Sequence, residues 1–236
     1  MVKVEATMTE PTYVLVHGAW HGAWSWRLLT NEFDRRGVVW RTLDLPSAHD
    51  LGDGTSDLES DVEAVRTVAE DEGPVVLVGH SYAGAVIAEA SGRLTNVAGL
   101  VFIAALIPAV AQSATDVSRL GGIRTDLDAA MVVDGARLRL DPLKVARALY
   151  GDCDDRVASD AVARLGTQTL ASFRSRRITP DANVTRHYIR CTKDRAIDPS
   201  LQTLMAEVCH TSIDLASDHS PFLSHVTECA DAIVSQ

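Results

Sequence analysis

Val75-Val76-Leu77-Val78-Gly79-His80-Ser81-Tyr82-Ala83-Gly84 is the stretch on which the reading of this chain turns. The apolar run after Pro74 makes a short buried strand, Gly79 opens a tight turn, and Ala83 to Leu94 continue as a helix. A serine between such a strand and helix sits on a strained bend, and its neighbours must be small for the two elements to approach. The pattern is G-x-S-x-G with Ala83 in the last place and Gly84 just behind it. Alone it is weak: at about 7% usage of Gly and of Ser it arises by chance in roughly one chain in six of this length. An ordinary turn with a serine capping the helix would look the same. Its weight comes from what surrounds it.

Other short apolar runs bounded by turn residues are Tyr13–Val16, Val38–Leu43, Val97–Ala105, Tyr188–Cys191 and Ser212–Leu215. They lack period-two alternation, which suits parallel strands covered on both faces. Helical patterns lie between them at Trp26–Arg36, Asp57–Glu70, Ala83–Leu94, Pro199–Cys209 and Pro221–Ser235. In the second of these, Leu58, Val62, Val65 and Val68 form one apolar stripe on a charged helix. Such alternation predicts an α/β fold with a mainly parallel six-stranded sheet flanked by helices. Residues 108–180 break the rhythm, with a hairpin of Val132-Val133 and Leu138–Leu140 around Asp134-Gly135 and helices at Pro142–Tyr150 and Asp154–Leu165. The expectation is a core of residues 1–107 and 181–236 with a small cap, 108–180, over the carboxyl ends of the strands, where open α/β sheets place their sites.

Composition narrows the function. The chain has 236 residues, 46% hydrophobic and 23% charged, enough for one sizeable core and too ordinary for disorder, collagen or a coiled coil. Its net charge of −10 repels a phosphate backbone and an anionic membrane surface, so neither nucleic acid nor membrane is an expected partner. The longest basic stretch, Arg174-Ser175-Arg176-Arg177, reads as a solvated edge. No run approaches the ~18 apolar residues of a membrane span, and Met1 to Glu10 carries no export signal. Cys153, Cys191, Cys209 and Cys229 show no CxxC and read as unpaired thiols of a cytoplasmic protein.

Three further features stand in the order that hydrolytic chemistry needs. His17-Gly18-Ala19-Trp20 follows the first strand directly. An acyl-transfer enzyme needs two backbone N–H groups on the developing oxyanion, one after the nucleophile and one from such a loop. Tyr82 and Ala19 are the candidates. His17 and His21 are spaced four apart, but the glycines between them make a poor metal site, and no metal is expected. Near the C-terminus, Ala216-Ser217-Asp218-His219-Ser220-Pro221 puts His219 on a loop after the last strand. His210 precedes that strand and would face the wrong end of the sheet, and His225 falls inside the final helical pattern. For the acid, Asp194 follows the fifth strand, whereas Asp198 before Pro199 reads as a helix N-cap. Asp218 adjoins His219 and cannot readily reach its ring. The order Ser81, Asp194, His219 is nucleophile, acid, base.

Val14-Leu15-Val16-His17-Gly18-Ala19-Trp20-His21-Gly22-Ala23-Trp24 resembles the opening of the plant methylesterase and hydroxynitrile lyase branch of the α/β-hydrolase superfamily. Gly79–Gly84, Cys191-Thr192-Lys193-Asp194-Arg195-Ala196-Ile197 and Asp218-His219 resemble its later motifs. The resemblance covers the core and loosens over the cap. It implies the α/β-hydrolase fold, cofactor-free acyl chemistry, bacterial esterase relatives, and a monomer or homodimer. The lyases it resembles carry a lysine after the catalytic histidine and a threonine in the first loop, where this chain has Ser220 and Gly18. Both departures favour an esterase, and the further change to Ala83, where most members have glycine, is small and compatible with activity.

The expected reaction is therefore cleavage of a small carboxylic ester or lactone through an acyl-enzyme on Ser81. Gly18, Trp20, Leu106, Met131 and Phe173 are candidates for contacting the substrate, against the plain alternative of core packing. Two other classes fit the same residues: a lyase acting on a natural product, and a ligand-binding protein on a hydrolase scaffold. Fold alone does not decide between them.

Overall fold

Thr12–Val16 is a run of β-branched, aromatic and aliphatic residues buried throughout, and it forms the first strand, β1. The computed structural model to which it belongs describes residues 10–48 and 54–235. Residues 1–9, which carry the reading of no export signal, lie outside the described residues. A 3₁₀ turn, Ala23–Trp26, leads into α1 (Arg27–Arg36), which ends on Gly37 with φ 71°, the left-handed conformation glycine adopts without strain. β2 (Trp40–Thr42) is shorter than the expected Val38–Leu43. α2 (Leu58–Ala69) opens with a capping box, Asp57 accepting the Ser60 N–H and Ser60 Oγ accepting the Asp57 N–H. β3 (Val75–His80), α3 (Ala83–Ser91) and β4 (Val97–Ile103) follow.

Between β4 and the next core strand the chain makes α4 (Ala114–Ser118), α5 (Asp126–Ala130), β5 (Met131–Asp134), β6 (Arg137–Leu140), α6 (Pro142–Leu149), α7 (Asp155–Arg164), β7 (Gln168–Thr169) and α8 (Leu170–Arg174). The hairpin and the two longer helices stand where the sequence put them. α4, α5, β7 and α8 are too short to show a period, and none was expected. β5, β6 and β7 form their own antiparallel sheet. The base of this insertion is zipped: Ala111 N–H donates to Arg177 O and Arg177 N–H to Gln112 O. Arg177 is not the solvated edge its neighbours suggested. It is buried, its guanidinium donating to Pro108 O, Thr179 O and Asp181 Oδ1.

The core resumes with β8 (Thr185–Cys191), α9 (Pro199–Ala206), β9 (Thr211–Leu215), α10 (Pro221–Ser224) and α11 (Val226–Val234). The six core strands run parallel in the order β2-β1-β3-β4-β8-β9. The single helix expected over Pro221–Ser235 is instead broken at His225. Ser224 Oγ donates to Asp218 Oδ1, tying α10 to the His219 loop, while Arg36 holds α11 through Asp231; the break lets both happen. One face of the sheet buries Trp26, Leu29, Phe33, Phe222 and Ile233 under α1 and α11. The other buries Val62, Val65, Val86 and Ile87 of α2 and α3 and continues into the insertion. Each such side chain contributes about 1.5–3 kcal/mol on burial. All four cysteines are unpaired.

Candidate active site

Ser81 follows β3 with φ 55°, a left-handed conformation that costs a non-glycine residue of order 1–3 kcal/mol and persists only where its surroundings enforce it. They do so here. Ser81 N–H donates to Ile103 O at 3.0 Å, and Ser81 O accepts the N–H groups of Gly84 at 3.1 Å and Leu106 at 3.0 Å. A Cβ at Gly79 would lie 2.8 Å from Ala83 O, so strand and helix meet only because that residue is glycine. A Cβ at Gly84 would lie 2.8 Å from Ala105 Cβ. The crowding behind the turn thus falls on Gly79 and Gly84, and Ala83 between them is fully buried.

Sheet register sets the partners of Ser81. Val16 pairs with Gly79 across β1 and β3, so the Gly18 loop leaves the sheet beside the serine. Cys191 pairs with Leu215 across β8 and β9, so the loops carrying Asp194 and His219 also leave side by side. His219 Nδ1 donates to Asp194 Oδ2 at 2.7 Å, both residues buried. That bond puts the ring proton on Nδ1 and leaves Nε2 as a base. Asp194 is held in turn: its Oδ1 accepts the Ala196 and Ile197 N–H groups, and Gln202 Nε2 donates to its Oδ2 at 2.8 Å. Asp198 caps α9 through the Ser200 N–H. His210 accepts from Arg186 N–H beside the start of β8, at the opposite end of the sheet. No hydrogen bond joins Ser81 to the His219 ring among the described residues, a contact that often tightens only with substrate.

Gly18, Ala19 and Trp20 form the loop facing Ser81. A Cβ on Gly18 would lie 2.7 Å from His80 Nδ1 and 3.0 Å from Ser81 Cβ, so this position admits only glycine without displacement. Leu45 N–H donates to His17 Nε2, so His17 Nδ1 is the protonated nitrogen and donates to Gly18 O at 2.8 Å. His21 Nδ1 lies 2.8 Å from Ala19 O and Tyr150 OH 2.8 Å from His21 Nε2, so a neutral ring donates to the loop and accepts from the tyrosine. With the Gly18 carbonyl engaged, the trans peptide turns the Ala19 N–H the other way. Among the described residues neither the Ala19 nor the Tyr82 N–H has an intramolecular partner. Burial pushes His21 down to about 3, and burial followed by the charge of His219 holds His80 well below the usual range. Both rings are therefore neutral at neutral pH. His80 Nε2 donates to His219 O at 2.9 Å, locking the His219 loop to the Ser81 turn.

Ser81 opens into a pocket of about 320 Å³ whose wall includes Trp20, Leu106, Met131, Leu138, Leu170 and Phe173. Gly18 is not on that wall; it packs against His80 and Ser81. Gln202 and Tyr150 were missed from sequence. For Gln202 a signal existed, a polar residue beside Leu201 and Met205 on the buried face of α9. For Tyr150 none did, since its partner lies across the fold in the first loop. Among the described residues no His, Cys, Asp or Glu cluster could hold a metal, and no helix is long and apolar enough to cross a membrane.

Comparison with known proteins agrees with this fold. An alpha/beta hydrolase of Aspergillus novofumigatus is 28% identical over 92% of this chain and 93% of its own. Salicylic acid-binding protein 2 of Nicotiana tabacum is 27% identical over 80% of this chain and 82% of its own. The solved structure of a pyrethroid hydrolase from Sphingobium faniae superposes with a TM-score of 0.83 at 22% identity, over 96% of this chain and 97% of that one. The model of the alpha/beta hydrolase family matches residues 13–232, a span that takes in the Gly18 loop, Ser81, Asp194 and His219, and the chain belongs to that family.

Proposed function

We propose that the protein is a serine hydrolase that cleaves a small carboxylic ester or lactone through an acyl-enzyme on Ser81. The carrying observation is the strained Ser81 at an apolar pocket, with the buried His219–Asp194 pair on the neighbouring loop. Ser81 Oγ attacks the ester carbonyl and its proton passes to His219 Nε2, while Asp194 holds the ring and stabilises its charge. The Ala19 and Tyr82 N–H groups receive the oxyanion, each worth about 3–4 kcal/mol in the transition state. Collapse of the intermediate breaks the C–O bond, and His219 returns the proton to the leaving alcohol. Water, deprotonated by His219, then attacks the acyl-enzyme, releasing the acid and regenerating Ser81. Residues 108–180 serve as a cap: Met131, Leu138, Leu170 and Phe173 all belong to them and wall the pocket.

Gly18 supports hydrolysis over cyanohydrin cleavage, because the threonine those lyases carry there would press on His80 and Ser81. The test is turnover of aryl esters from acetate to octanoate by wild type and Ser81→Ala. Wild-type hydrolysis to acid and phenol, lost by roughly 10⁴-fold or more in the variant, is the expected result. Equal rates in the two proteins, or no acid released by either, would overturn the proposal.

A further inference from the structure

Beneath the pocket lies a buried polar network that none of these steps uses. Asp61 on α2 accepts the Ser47 N–H at 3.0 Å, the Ser47 hydroxyl at 2.5 Å and the Tyr82 hydroxyl at 2.8 Å. Gln168, at the start of β7, donates through Nε2 to Ser47 Oγ at 2.7 Å and to Ser172 Oγ at 2.6 Å. Its Oε1 accepts the Trp20 N–H at 3.3 Å. Asp61, Ser47 and Gln168 are fully buried, and Tyr82 and Ser172 nearly so.

A carboxylate and a carboxamide in such a place cost free energy unless fully paired, and an apolar group of similar volume often serves a core as well or better. What a satisfied network adds is rigidity and a single arrangement. The groups held here are specific ones. Tyr82 carries one candidate oxyanion donor on its own backbone. Trp20 follows the other, Ala19, and stands at φ 63°. Its backbone strain is countered from the insertion at three points: Gln168 Oε1 on its N–H, Leu138 O on its ring Nε1–H, and the Gly166 N–H on its carbonyl. The two halves of the oxyanion hole come from loops after different strands, and the path from Tyr82 through Asp61, Ser47 and Gln168 to Trp20 joins them.

We propose that Asp61 and Gln168 are positioning residues for the oxyanion hole, holding the Tyr82 and Ala19–Trp20 peptides in register with Ser81. The inference rests on Ser81 being the nucleophile, and the experiment separates the two claims. Labelling of Ser81 by an alkyl fluorophosphonate, followed by mass spectrometry, forms the O–P bond with loss of fluoride and needs no knowledge of the ester. The variants are Tyr82→Phe, which deletes one hydroxyl and keeps the ring, and Gln168→Met, which keeps length without donors or acceptor. Ile233→Ala, in the core under α11 and remote from the network, controls for lost stability.

Displacing an oxyanion donor costs less than the 10²–10³-fold of removing it, so each network variant is expected to label about tenfold more slowly. Ile233→Ala, although less stable, is expected to label at the wild-type rate. For any ester turned over, kcat falls with KM unchanged. Labelling of both network variants at the wild-type rate would overturn the positioning role and leave Ser81 as the nucleophile. Slowing of Ile233→Ala to the same degree would reduce the effect to stability, also overturning it. Failure of wild type to label at Ser81 would remove the nucleophile and the inference together.

Discussion

The parallel sheet and the insertion between β4 and β8 both reach the candidate site, by different physical means. The sheet supplies Ser81, Asp194 and His219, on loops that leave the ends of strands, and parallel register alone makes those loops neighbours. The insertion supplies none of the three. It supplies most of the pocket wall and side chains that grip the first loop, namely Gln168 on Trp20 and Tyr150 on His21. The division is between chemistry set by backbone topology and selectivity and stiffness set by side-chain packing. Substitutions in the first group should therefore cost rate by orders of magnitude, whereas in the second Gln168 should cost rate only about tenfold, through the Trp20 peptide, and Tyr150 should cost stability.

The largest effect expected of that division is on the acid. Asp194→Asn keeps the shape of the site but allows the His219 ring to settle in the wrong tautomer, which costs about 10⁴-fold in turnover in such triads. Asp198→Asn should cost less than about tenfold, because asparagine caps a helix as well as aspartate. Steady-state kinetics of the two variants on one ester decides it. A crippled Asp198→Asn beside a mild Asp194→Asn would move the acid to the other residue.

Next comes Gly18→Ala. The added methyl group would lie 2.7 Å from His80 Nδ1 and 3.0 Å from Ser81 Cβ, so the loop or the elbow must shift. A misplacement on the scale of an ångström lowers kcat about 10²-fold, on top of the roughly 1–3 kcal/mol of stability that overpacking costs. Full activity would show that the loop gives way freely, and the claim that register holds it would fail.

Tyr150→Phe tests the other side. It strips the donor from His21 Nε2, a buried acceptor, at a cost of about 1–3 kcal/mol, readable by urea denaturation. Turnover should change less than about threefold, because His21 Nδ1 still holds the Ala19 carbonyl. Loss of activity at unchanged stability would break the comparison.

The same division decides what could be read from sequence. Strand runs such as Val75–Val78 and the loops directly after them are local patterns, so the fold and the Ser81, Asp194 and His219 candidates were legible, as was the helix cap that Asp198 forms. Leu106, Met131 and Phe173 were legible only as apolar residues near the break in the pattern. Asp61 was not singled out, because its helical position says nothing of Ser47 and Tyr82 closing over it. Arg177 was misplaced for the same reason: three exposed-looking neighbours hid a guanidinium that ties both ends of the insertion. Contacts between residues far apart in the chain, made by polar side chains on short elements, leave no periodic trace.

The smallest expected effect is a pH dependence, and it bears on Asp61 alone. Burial pushes this carboxyl up to about 6, against the lowering effect of its hydrogen bonds from Ser47 and Tyr82, with Asp57 a further raising charge. Tyr82 is itself pushed well above the usual range, chiefly by burial, and stays neutral. A folded-state value above the unfolded one means that the native protein holds the proton more tightly. Its contribution to stability is complete below the unfolded value near 3.8 and is lost as pH rises through about 6. Wild type should therefore gain on Asp61→Asn as pH falls from about 7 to 5, by about 1 kcal/mol. His21 and His80 pull the other way on acidification, since both are held neutral when folded, but they are common to both proteins and cancel in the difference. Urea unfolding of the pair across that range measures it. A constant difference would mean that Asp61 keeps an ordinary carboxylate titration in the fold. The network beneath the pocket would then be wetter than the packing around Gln168 and Ser47 implies.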